Sequence, residues 1–497
     1  MRSAGFWVLV ATILGSSLVF IDGSVVSIAL PVIQTELHAS SSQTQWIVEG
    51  YTLVLGALML LSGALADRYG RKRIFLLGVV IFALGSLGCG LAPSIDALLW
   101  ARVIQGIGGT MLAPASLALI GAYFEGEARG KAVGTWSAFS AIAAVIGPVL
   151  GGAVIDHFGW RWVFAINVPF ASAIIVICTL KLKESRDEED LGKLDIWGSA
   201  AITLSLAAIV YAFIAAGLNG WTNPYVIAAA IIGPLALGLF VWVEAHHPSP
   251  IMPLRLFRGR TFTGVNLLTL VLYGALGGMF YFLPFVLIRV MHYSATFAGF
   301  ATIPFIIILV ALSRTTGALT YRFGARLLLT VGPSVVACGF LAFSLLHGTS
   351  YWTAIFPGIM LIGLGMGLTV APLTTTMMES VEQHRVGLAS GINNAISRVA
   401  GLLTIAIFGV VLATFFNSSL SHRLDDAHVP PVARAQVDAQ RPRLAGATLQ
   451  DARLQQTVLQ AYDDGFRTVA FCCAFLAGAG ALCAALLIEK RPQQVQA

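Results

Sequence analysis

The sequence predicts an all-α integral membrane protein with 14 transmembrane helices, and its composition and its long apolar runs support this. Of the 497 residues, 57% are hydrophobic and 11% are charged, and the mean hydropathy is +0.83. Soluble domains have about 45–50% apolar and about 25% charged residues. Too few charges remain to cover a water-facing surface, so the composition excludes a soluble enzyme, a disordered protein and a nucleic-acid-binding protein.

Each transmembrane helix takes about 20 apolar residues, and fourteen runs of the chain meet this length. They cover residues 6–30, 46–66, 74–92, 97–122, 131–155, 162–181, 196–217, 224–243, 263–289, 297–320, 327–346, 352–376, 387–415 and 466–488. The first run has no A-x-A-like cleavage site before Asp22. We therefore expect a retained first span rather than a cleaved signal peptide.

Lysine and arginine residues predict the orientation, because they concentrate in cytoplasmic loops. With a cytoplasmic N-terminus, the inside segments hold 19 basic residues, whereas the short outside loops hold two, Arg161 and Arg289. Both termini are therefore expected in the cytoplasm of a bacterial cell, with the protein in its plasma (inner) membrane. The net charge of +6 follows from this topology and needs no nucleic acid as a partner.

One connection, residues 416–465, is long and polar and lies outside in this topology. Its second part has apolar residues at helical spacing, so we expect it to be partly helical. It is either a solvated connector or a lid over the outer mouth.

No pattern for a metal, a cofactor or a nucleotide occurs in the sequence. The six cysteines lie in apolar segments and are expected to pack as small hydrophobic residues. The nearest match to a phosphate-binding loop, residues 126–131, is one residue too short. Two glycine-rich stretches, GIGGT (106–110) and GLGMG (363–367), lie inside spans and predict close helix packing. If the protein moves a solute across the membrane, its driving force would therefore be an ion gradient rather than a nucleotide.

An internal repeat divides the chain into two halves. GALADRYGR, starting at residue 63, matches GALTYRFGA, starting at residue 317. One Leu-Pro pair and one Ala-Pro pair each recur at nearly the same distance along the chain. The repeat predicts a six-helix half at 1–185, an inserted helix pair at 186–260 and a second six-helix half at 261–497, a 6 + 2 + 6 arrangement. Many secondary transporters have two such halves, with a substrate site between them near the bilayer midplane.

Four ionisable residues lie within the predicted spans: Asp22, Glu49, Arg102 and Arg398. Such residues are costly in a bilayer and therefore indicate function. From the helical rise, Asp22, Arg102 and Glu49 lie at roughly 12, 9 and 6 Å from the outer ends of their helices, close enough to share one cavity. A pair that separates and rejoins would bind and release a proton. The alternatives are a static Asp22–Arg102 ion pair and a Glu49 that reaches the outer surface.

Several segments resemble motifs of the major facilitator superfamily. GALADRYGRKR (63–73) is similar to the motif between spans 2 and 3, WARVIQGIGG (100–109) to the span-4 signature and GPVLGG (147–152) to the exporter element of span 5. FIDGSVVSIALPVI (20–33), WIVEGYTL and FGWRWVFAINVP resemble segments of the fourteen-helix drug:H+ antiporters of the EmrB/QacA type. The resemblance covers the whole chain and implies the major facilitator fold.

The resemblance also implies roles for individual residues. Arg102 would couple proton movement, with Asp22 as its carboxylate partner and Glu49 as a further candidate. The conformational latch would comprise Gly63, Asp67, Arg68, Gly70 and Arg71. The alternative is that these are ordinary solvated residues of a loop. The exporter hinge would comprise Gly147, Pro148, Gly151 and Gly152. In the latch, Asp67 would lie near the N-terminus of span 3, which favours an anion.

The resulting expectation is a proton-coupled multidrug exporter working by alternating access on hydrophobic or amphipathic molecules, cationic ones included. Candidate substrate-binding residues are Asp22, Glu49, Trp136, Tyr273, Tyr281, Asn393 and Asn394, with helix packing as the alternative for Asn393. The expected partners are the small-molecule substrate, protons and the lipid bilayer, together with a periplasmic adaptor if the cell is Gram-negative. The alternatives are a narrow-specificity exporter of a metabolite, antibiotic or lipid, a proton-coupled importer, and a non-transporting receptor.

Overall fold

The computed structural model describes residues 2–124, 126–185, 195–248, 250–382 and 386–489. All regular structure in these ranges is helical, which confirms the all-α prediction. The first helices are α1 (Arg2–Glu36), α2 (Ser41–Tyr69), α3 (Arg71–Gly90), α4 (Ile95–Tyr123), α5 (Gly126–Phe158), α6 (Arg161–Ala165), α7 (Asn167–Lys181), α8 (Ile196–Asn219) and α9 (Pro224–His246). The rest are α10 (Arg260–Phe285), α11 (Ala295–Phe300), α12 (Ile303–Phe323), α13 (Ala325–Leu345), α14 (Tyr351–Ala354), α15 (Phe356–Glu379), α16 (Val386–Asp426), α17 (Pro431–Gln440) and α18 (Ala452–Leu487).

Three short segments complete this list. They are the 3-10 helices Leu254–Arg258 and Arg441–Gly446 and a π-helix at Val286–Val290, which continues α10. The predicted polar loop 416–465 is largely helical: α16 continues to Asp426, α17 and the second 3-10 helix follow, and α18 begins at Ala452.

Twelve helices in the described ranges are long and apolar enough to cross a membrane, which confirms a multi-pass membrane protein. The structure thus supports 12 spans, two fewer than the 14 predicted. The predicted spans 46–66 and 131–155 lie in α2 and α5, which are 29 and 33 residues long but are not among the twelve. The count of twelve refers to the described residues, and both helices contain positions whose side chains fall outside them.

The repeated motif adopts the same turn in both places. Gly70 ends α2 and precedes α3 with a φ of 111°, and Gly324 ends α12 and precedes α13 with a φ of 82°. Both values lie in the region that glycine adopts without steric cost. Because the two glycines occupy matching positions of GALADRYGR and GALTYRFGA, the local backbone supports the internal repeat.

The glycine-rich stretches predicted to pack closely do so. A Cβ at Gly108 of α4 would overlap the backbone nitrogen of Phe82 in α3. A Cβ at Gly365 of α15 would lie 2.7 Å from the backbone nitrogen of Val336 in α13. Each stretch therefore lets two helix backbones approach more closely than any side chain would allow.

The helices form two groups that meet along a central seam. In the first group α1 packs against α4, α5 and α7, and in the second α10 packs against α16 and α18. Across the seam α5 contacts α11, α2 contacts α16, and α1 contacts α10. Helices α8 and α9 pair with each other, and α8 rests on α2 and α16. The proposed division at 1–185, 186–260 and 261–497 stays a prediction, and residues 186–194 lie outside the described ranges.

Candidate functional site

Asp22 and Arg102 form a buried ion pair between α1 and α4. The Arg102 Nη1 donates to Asp22 Oδ2 over 2.6 Å, and both side chains are at most 1% exposed. The Nε of Arg102 donates to the Ile47 carbonyl over 3.0 Å, and its guanidinium carbon lies 4.1 Å from the ring centroid of Tyr51. Helix α2 therefore holds one side of Arg102 while Asp22 holds the other.

Neutral polar side chains surround the ion pair on its remaining sides. Gln105 donates to Asp22 Oδ1 over 2.8 Å and accepts from Arg102 over 2.7 Å. Asn167 of α7 donates to the same Asp22 oxygen over 3.2 Å. Both amides also donate to the Ser86 hydroxyl of α3, over 3.0 and 2.8 Å. Asp22 thus accepts from three side chains, an arrangement that satisfies a carboxylate in a buried site.

Sequence reasoning identified the two charged members of this cluster and missed Gln105, Ser86 and Asn167. A weak signal for Gln105 was available, since it lies three residues after Arg102 and therefore on the same helix face. Ser86 and Asn167 are uncharged and lie on other helices, so the sequence alone gave no reason to place them beside Asp22.

Glu49 lies apart from this cluster, although it is also fully buried. Neither of its carboxyl oxygens has a hydrogen-bond partner among the residues that the structure describes. It lies in the neighbourhood of Tyr281 in α10. Glu49 therefore takes no part in the hydrogen-bond network of Asp22 and Arg102.

Arg398 of α16 approaches the cluster from the second half. It is partly buried, and its guanidinium lies within electrostatic range of Tyr51, whose ring also covers Arg102. In the described part of the chain, Arg398 has no hydrogen bond or ion pair. Tyr51 is consequently near both arginines.

A central cavity of about 320 Å³ lies between the two groups of helices. Its walls come from α1, α2 and α5 on one side and from α10, α11, α12 and α16 on the other. The described lining residues are Ser24, Ser27, Ile28, Val48, Pro148, Gly277, Phe280, Tyr281, Leu283, Pro284, Leu287, Ala298, Thr302, Phe305, Ile306 and Ile405. Its position at the seam is where a repeat-built transporter would hold its substrate.

The candidate aromatic residues are placed differently from one another. Tyr281 lines the cavity, whereas Tyr273 and Trp136 are not among its described lining residues. Trp136 of α5 donates from Nε1 to the Ser16 hydroxyl of α1 over 2.9 Å. Its indole therefore links two helices of one half.

The two candidate asparagines lie on α16, away from the described cavity wall. Asn393 donates to the Asn266 side chain over 3.0 Å and to the Thr269 hydroxyl over 2.8 Å, both on α10. Asn394 is exposed and donates to the Ser390 carbonyl of its own helix over 3.1 Å. The Asn393 contacts correspond to the helix-packing alternative.

The glycines of the candidate hinge allow α5 to contact two helices closely. A Cβ at Gly147 would overlap the Ser24 hydroxyl of α1, and one at Gly151 would lie 2.5 Å from a methyl group of Val25. Gly152 faces α11 instead, where a Cβ would overlap the carbonyl oxygen of the first residue of that helix. Small residues at these positions bring α5 against both halves at once.

The latch residues lie around the turn between α2 and α3. Arg68 is exposed, Gly63 packs near Pro114 of α4, and the backbone N–H of Arg71 donates to the Ser185 carbonyl over 2.9 Å. The side chain of Asp67 lies outside the described part of the structure.

Glu184 is an acidic residue at the N-terminus of α3 that the sequence analysis did not single out. Its carboxylate accepts from the backbone N–H groups of Lys72 and Arg73 over 3.0 and 3.1 Å. Glu184 thus supplies an anion at the helix end where the resemblance implied Asp67.

The two halves are joined on the side of the bundle where α1 ends, called the Glu36 side below. Asp156 at the end of α5 accepts from the N–H of Ala295 over 3.2 Å and from the N–H and hydroxyl of Thr296 over 2.8 and 2.5 Å. A Cβ at Gly299 would overlap the carbonyl oxygen of Pro148. A carboxylate of one half therefore caps the first turn of α11 in the other half.

A second connection on the Glu36 side is a strap, residues 441–447, between α17 and α18. The Gln34 side chain of α1 donates to the Arg443 carbonyl over 3.0 Å. Arg289, in the π-helix that follows α10, donates from Nε to the Ala445 carbonyl over 3.1 Å. The strap is thus bonded to both halves.

Comparisons with known proteins agree with this architecture. The chain is 34% identical to "Multidrug resistance protein Stp" of Mycobacterium tuberculosis (strain CDC 1551 / Oshkosh) over 427 residues, covering 86% of this chain and 79% of the relative. It is 35% identical to "Puromycin resistance protein pur8" of Streptomyces alboniger, covering 82% and 81%. It is 30% identical to "Tetracenomycin C resistance and export protein" of Streptomyces glaucescens, covering 87% and 80%.

Among solved structures, the chain resembles a bacterial homolog of the human lysosomal transporter Spinster in an inward-facing, unoccupied conformation. The TM-score is 0.71 at 18% identity, with 98% of each chain covered, so this likeness shows the fold alone. The model of the Major Facilitator Superfamily matches residues 12–200 and 196–405. The chain therefore belongs to the major facilitator superfamily and is a multi-pass membrane transporter.

Proposed function

We propose that this transporter is a proton-coupled drug exporter of the fourteen-span antiporter group, moving hydrophobic or amphipathic small molecules out of the cytoplasm in exchange for H+. The names of its relatives, which refer to multidrug resistance and to puromycin and tetracenomycin C resistance, support the export of drug-like molecules. The observation that carries the proton coupling is the buried Asp22–Arg102 pair inside a complete hydrogen-bond network.

Helices α2 and α5 would be the two remaining spans. With 29 and 33 residues, they are about 43 and 50 Å long at 1.5 Å per residue, longer than the roughly 30 Å hydrocarbon core. Both pack among helices that do span, α2 between α4 and α16 and α5 between α1 and α11. Fourteen spans return both termini to one side, which the basic residues assign to the cytoplasm, and the Glu36 side is then external.

Helix α2 would transmit motion between the halves to the ion pair. It supports Arg102 through the Ile47 carbonyl and the Tyr51 ring, and it also packs against α16 of the other half. When the halves rock, a shift of α2 would draw Arg102 away from Asp22. A carboxylate that loses its cation in an apolar site binds a proton more readily, so this movement would load Asp22.

Glu49 would be a second proton carrier. An isolated carboxylate is costly to bury, and such a group is stable in an apolar site as the neutral acid. Both oxygens of Glu49 are buried without a hydrogen-bond partner in the described structure, so we assign it a proton in this conformation. It lies on the seam beside Tyr281, where opening of the Glu36 side would expose it to water.

The conformation described here would be the one closed to the outside. The Asp156 cap, the strap and the contact of α5 with α11 all join the halves on the Glu36 side. Opening outward would break these contacts, with the glycines of α5 as the hinge and the turn between α2 and α3 as the cytoplasmic latch.

Everted membrane vesicles test the proposal. Acidifying the vesicle lumen should drive uptake of a fluorescent substrate by the wild type, and Asp22→Asn should abolish this uptake. Asp96→Asn is the matched control, because it makes the same chemical change at an exposed residue of α4. Uptake that persists unchanged in Asp22→Asn would exclude Asp22 as the coupling carboxylate.

A narrow-specificity exporter is the second candidate, because two of the relatives are named for resistance to one compound each. A panel of unrelated substrates in the same vesicles separates the two. A multidrug exporter moves several of them, whereas a dedicated exporter moves one. A proton-coupled importer would instead need an opposite gradient for uptake.

A further inference from the structure

The central cavity carries information on the charge of the molecules that it accepts. Asp22 and Glu49, the two acids predicted to attract lipophilic cations, are both absent from its described lining. Asp22 is enclosed in the network of Arg102, Gln105 and Asn167, and Glu49 is 0% exposed although its neighbour Val48 lines the wall. None of the lining residues that the structure describes is charged.

We infer that this cavity selects uncharged, planar aromatic molecules over permanent cations of the same shape. The inference rests on the proposed function, since it names the substrate class of the proposed exporter. A permanent cation would leave water for a site that offers it no counter-charge, which is unfavourable unless a partner compensates. A neutral molecule incurs no such loss and gains from the apolar walls.

Aromatic rings form one wall of the cavity. Phe280 and Tyr281 of α10 and Phe305 of α12 line it, and the Phe280 and Phe305 rings lie 5.3 Å apart between centroids. The opposite wall, from α1 and α5, is formed by small residues such as Ser24 and Pro148. A flat aromatic molecule fits between a wall of rings and a wall of small side chains, where offset stacking adds to apolar burial.

The few polar groups restrict the hydrogen bonds that a ligand can make. The hydroxyls of Ser24 and Ser27 donate to carbonyls of their own helix over 2.9 and 3.2 Å, and that of Thr302, just before α12, donates to the Gly299 carbonyl of α11 over 3.1 Å. Toward the cavity they therefore offer acceptor lone pairs. The hydroxyl of Tyr281 has no hydrogen bond to a described residue and remains available to donate. The cavity thus suits a ligand with one acceptor and one or two neutral donors.

The volume of about 320 Å³ lies at the lower end of the range for small-molecule sites, about 300–1,000 Å³. It suits a molecule of a few fused rings. Acridine, which is neutral at pH 7.5, and its permanently charged N-methylacridinium derivative have almost the same shape and differ in charge, so they form a matched pair of probes.

Binding of the two probes to the purified full-length protein tests the inference without relying on transport. We expect acridine to bind the wild type at least tenfold more tightly than N-methylacridinium at pH 7.5. Ser27→Asp should reverse or abolish this preference by adding a carboxylate to the wall, and Ser27→Asn should keep it. Ser27 is preferable to Ser24, which lies against Gly147 and has no room for a larger side chain.

Tighter or equal binding of N-methylacridinium by the wild type would overturn the inference, and so would failure of both probes to bind. An unchanged preference in a folded Ser27→Asp variant would also overturn it, because the cavity would not be the binding site. The proposed function fails by a different result, namely the absence of uptake driven by a pH gradient for every substrate in vesicles. Neutral selectivity in binding combined with no such uptake would retain the site and reject the proton coupling.

Discussion

The cap that Asp156 places on α11 is expected to hold the Glu36 side closed, and Asp156→Asn should open it. The carboxylate accepts two backbone N–H groups and one hydroxyl across the seam. Asparagine has almost the same shape as aspartate but no charge. In place of one carboxylate oxygen it has an amide N–H, which cannot accept a bond from the N–H groups of α11. The amides of α11 would then lack a charged acceptor in the closed state only, so the equilibrium should shift toward the open one.

The size of this shift follows from the number and exposure of the bonds. Hydrogen bonds to charged groups contribute about 1.5–3 kcal/mol each when shielded from water. Asp156 is exposed, so solvent competes for the carboxylate and we expect a loss of about 1–2 kcal/mol for the whole cap. A change of this size alters a two-state ratio by a factor of about 5–30.

Thiol labelling measures the opening directly. Ser27→Cys, in a chain whose six native cysteines are replaced, places a thiol on the cavity wall. In intact cells a membrane-impermeant reagent should label it about 5–30 times faster when Asp156→Asn is added. Equal labelling rates in two folded proteins would refute the role of the cap.

The cap should also respond to external pH. Burial raises the pKa of Asp156, but the hydrogen bonds from Thr296 and Ala295 lower it more, so its pKa in the closed state lies below the usual value. The stabilisation is therefore present above the usual pKa of an aspartate and is lost as the pH falls through the lower, closed-state value. As the pH falls, the labelling rate of the wild type should therefore rise relative to that of Asp156→Asn measured at the same pH, a ratio that cancels the slower reaction of the thiol itself in acid.

Two further predictions concern packing and the strap. Gly108→Ala should push α3 and α4 apart and lower the melting temperature markedly, whereas Gly134→Ala, where an added Cβ meets nothing within 4 Å, should leave it nearly unchanged. Equal melting temperatures would contradict the close helix packing. Gln34→Cys combined with Gly446→Cys should cross-link the strap to α1, because a Cβ at residue 446 would lie 2.5 Å from the Gln34 side chain. Oxidation should stop transport in the double variant alone and reductant should restore it, whereas transport that continues after complete cross-linking would show that the strap need not move.

The sequence was sufficient to pair Asp22 with Arg102 because helical rise gives the depth of each charge in its span. The same reasoning placed Glu49 near them, and here depth misled because it carries no information on direction around the helix. Tyr51 packs on Arg102, and at 3.6 residues per turn a residue two positions earlier points about 200° away. Glu49 therefore points away from Arg102 despite its similar depth.

The uncharged residues were harder to predict for a related reason. Ser86, Gln105 and Asn167 are ordinary polar residues in membrane helices, and their role depends on which helices pack together. The strap could be located as part of a polar loop, but its bonds to Gln34 and Arg289 depend on the fold. By contrast, the matching turns at Gly70 and Gly324 follow from local sequence, because a repeated motif with glycine at one position specifies the same backbone twice.

The central claim is that substrate and proton exchange obligatorily through Asp22, and reversed coupling in proteoliposomes tests it most directly. Purified protein is reconstituted with a pH-sensitive dye inside and no initial pH gradient, and substrate is then added outside. In the wild type, substrate entering down its gradient should drive protons out and raise the internal pH, and Asp22→Asn should abolish the pH change whereas Asp96→Asn should not. Substrate that enters the wild-type vesicles through the protein without any change of internal pH would contradict the account.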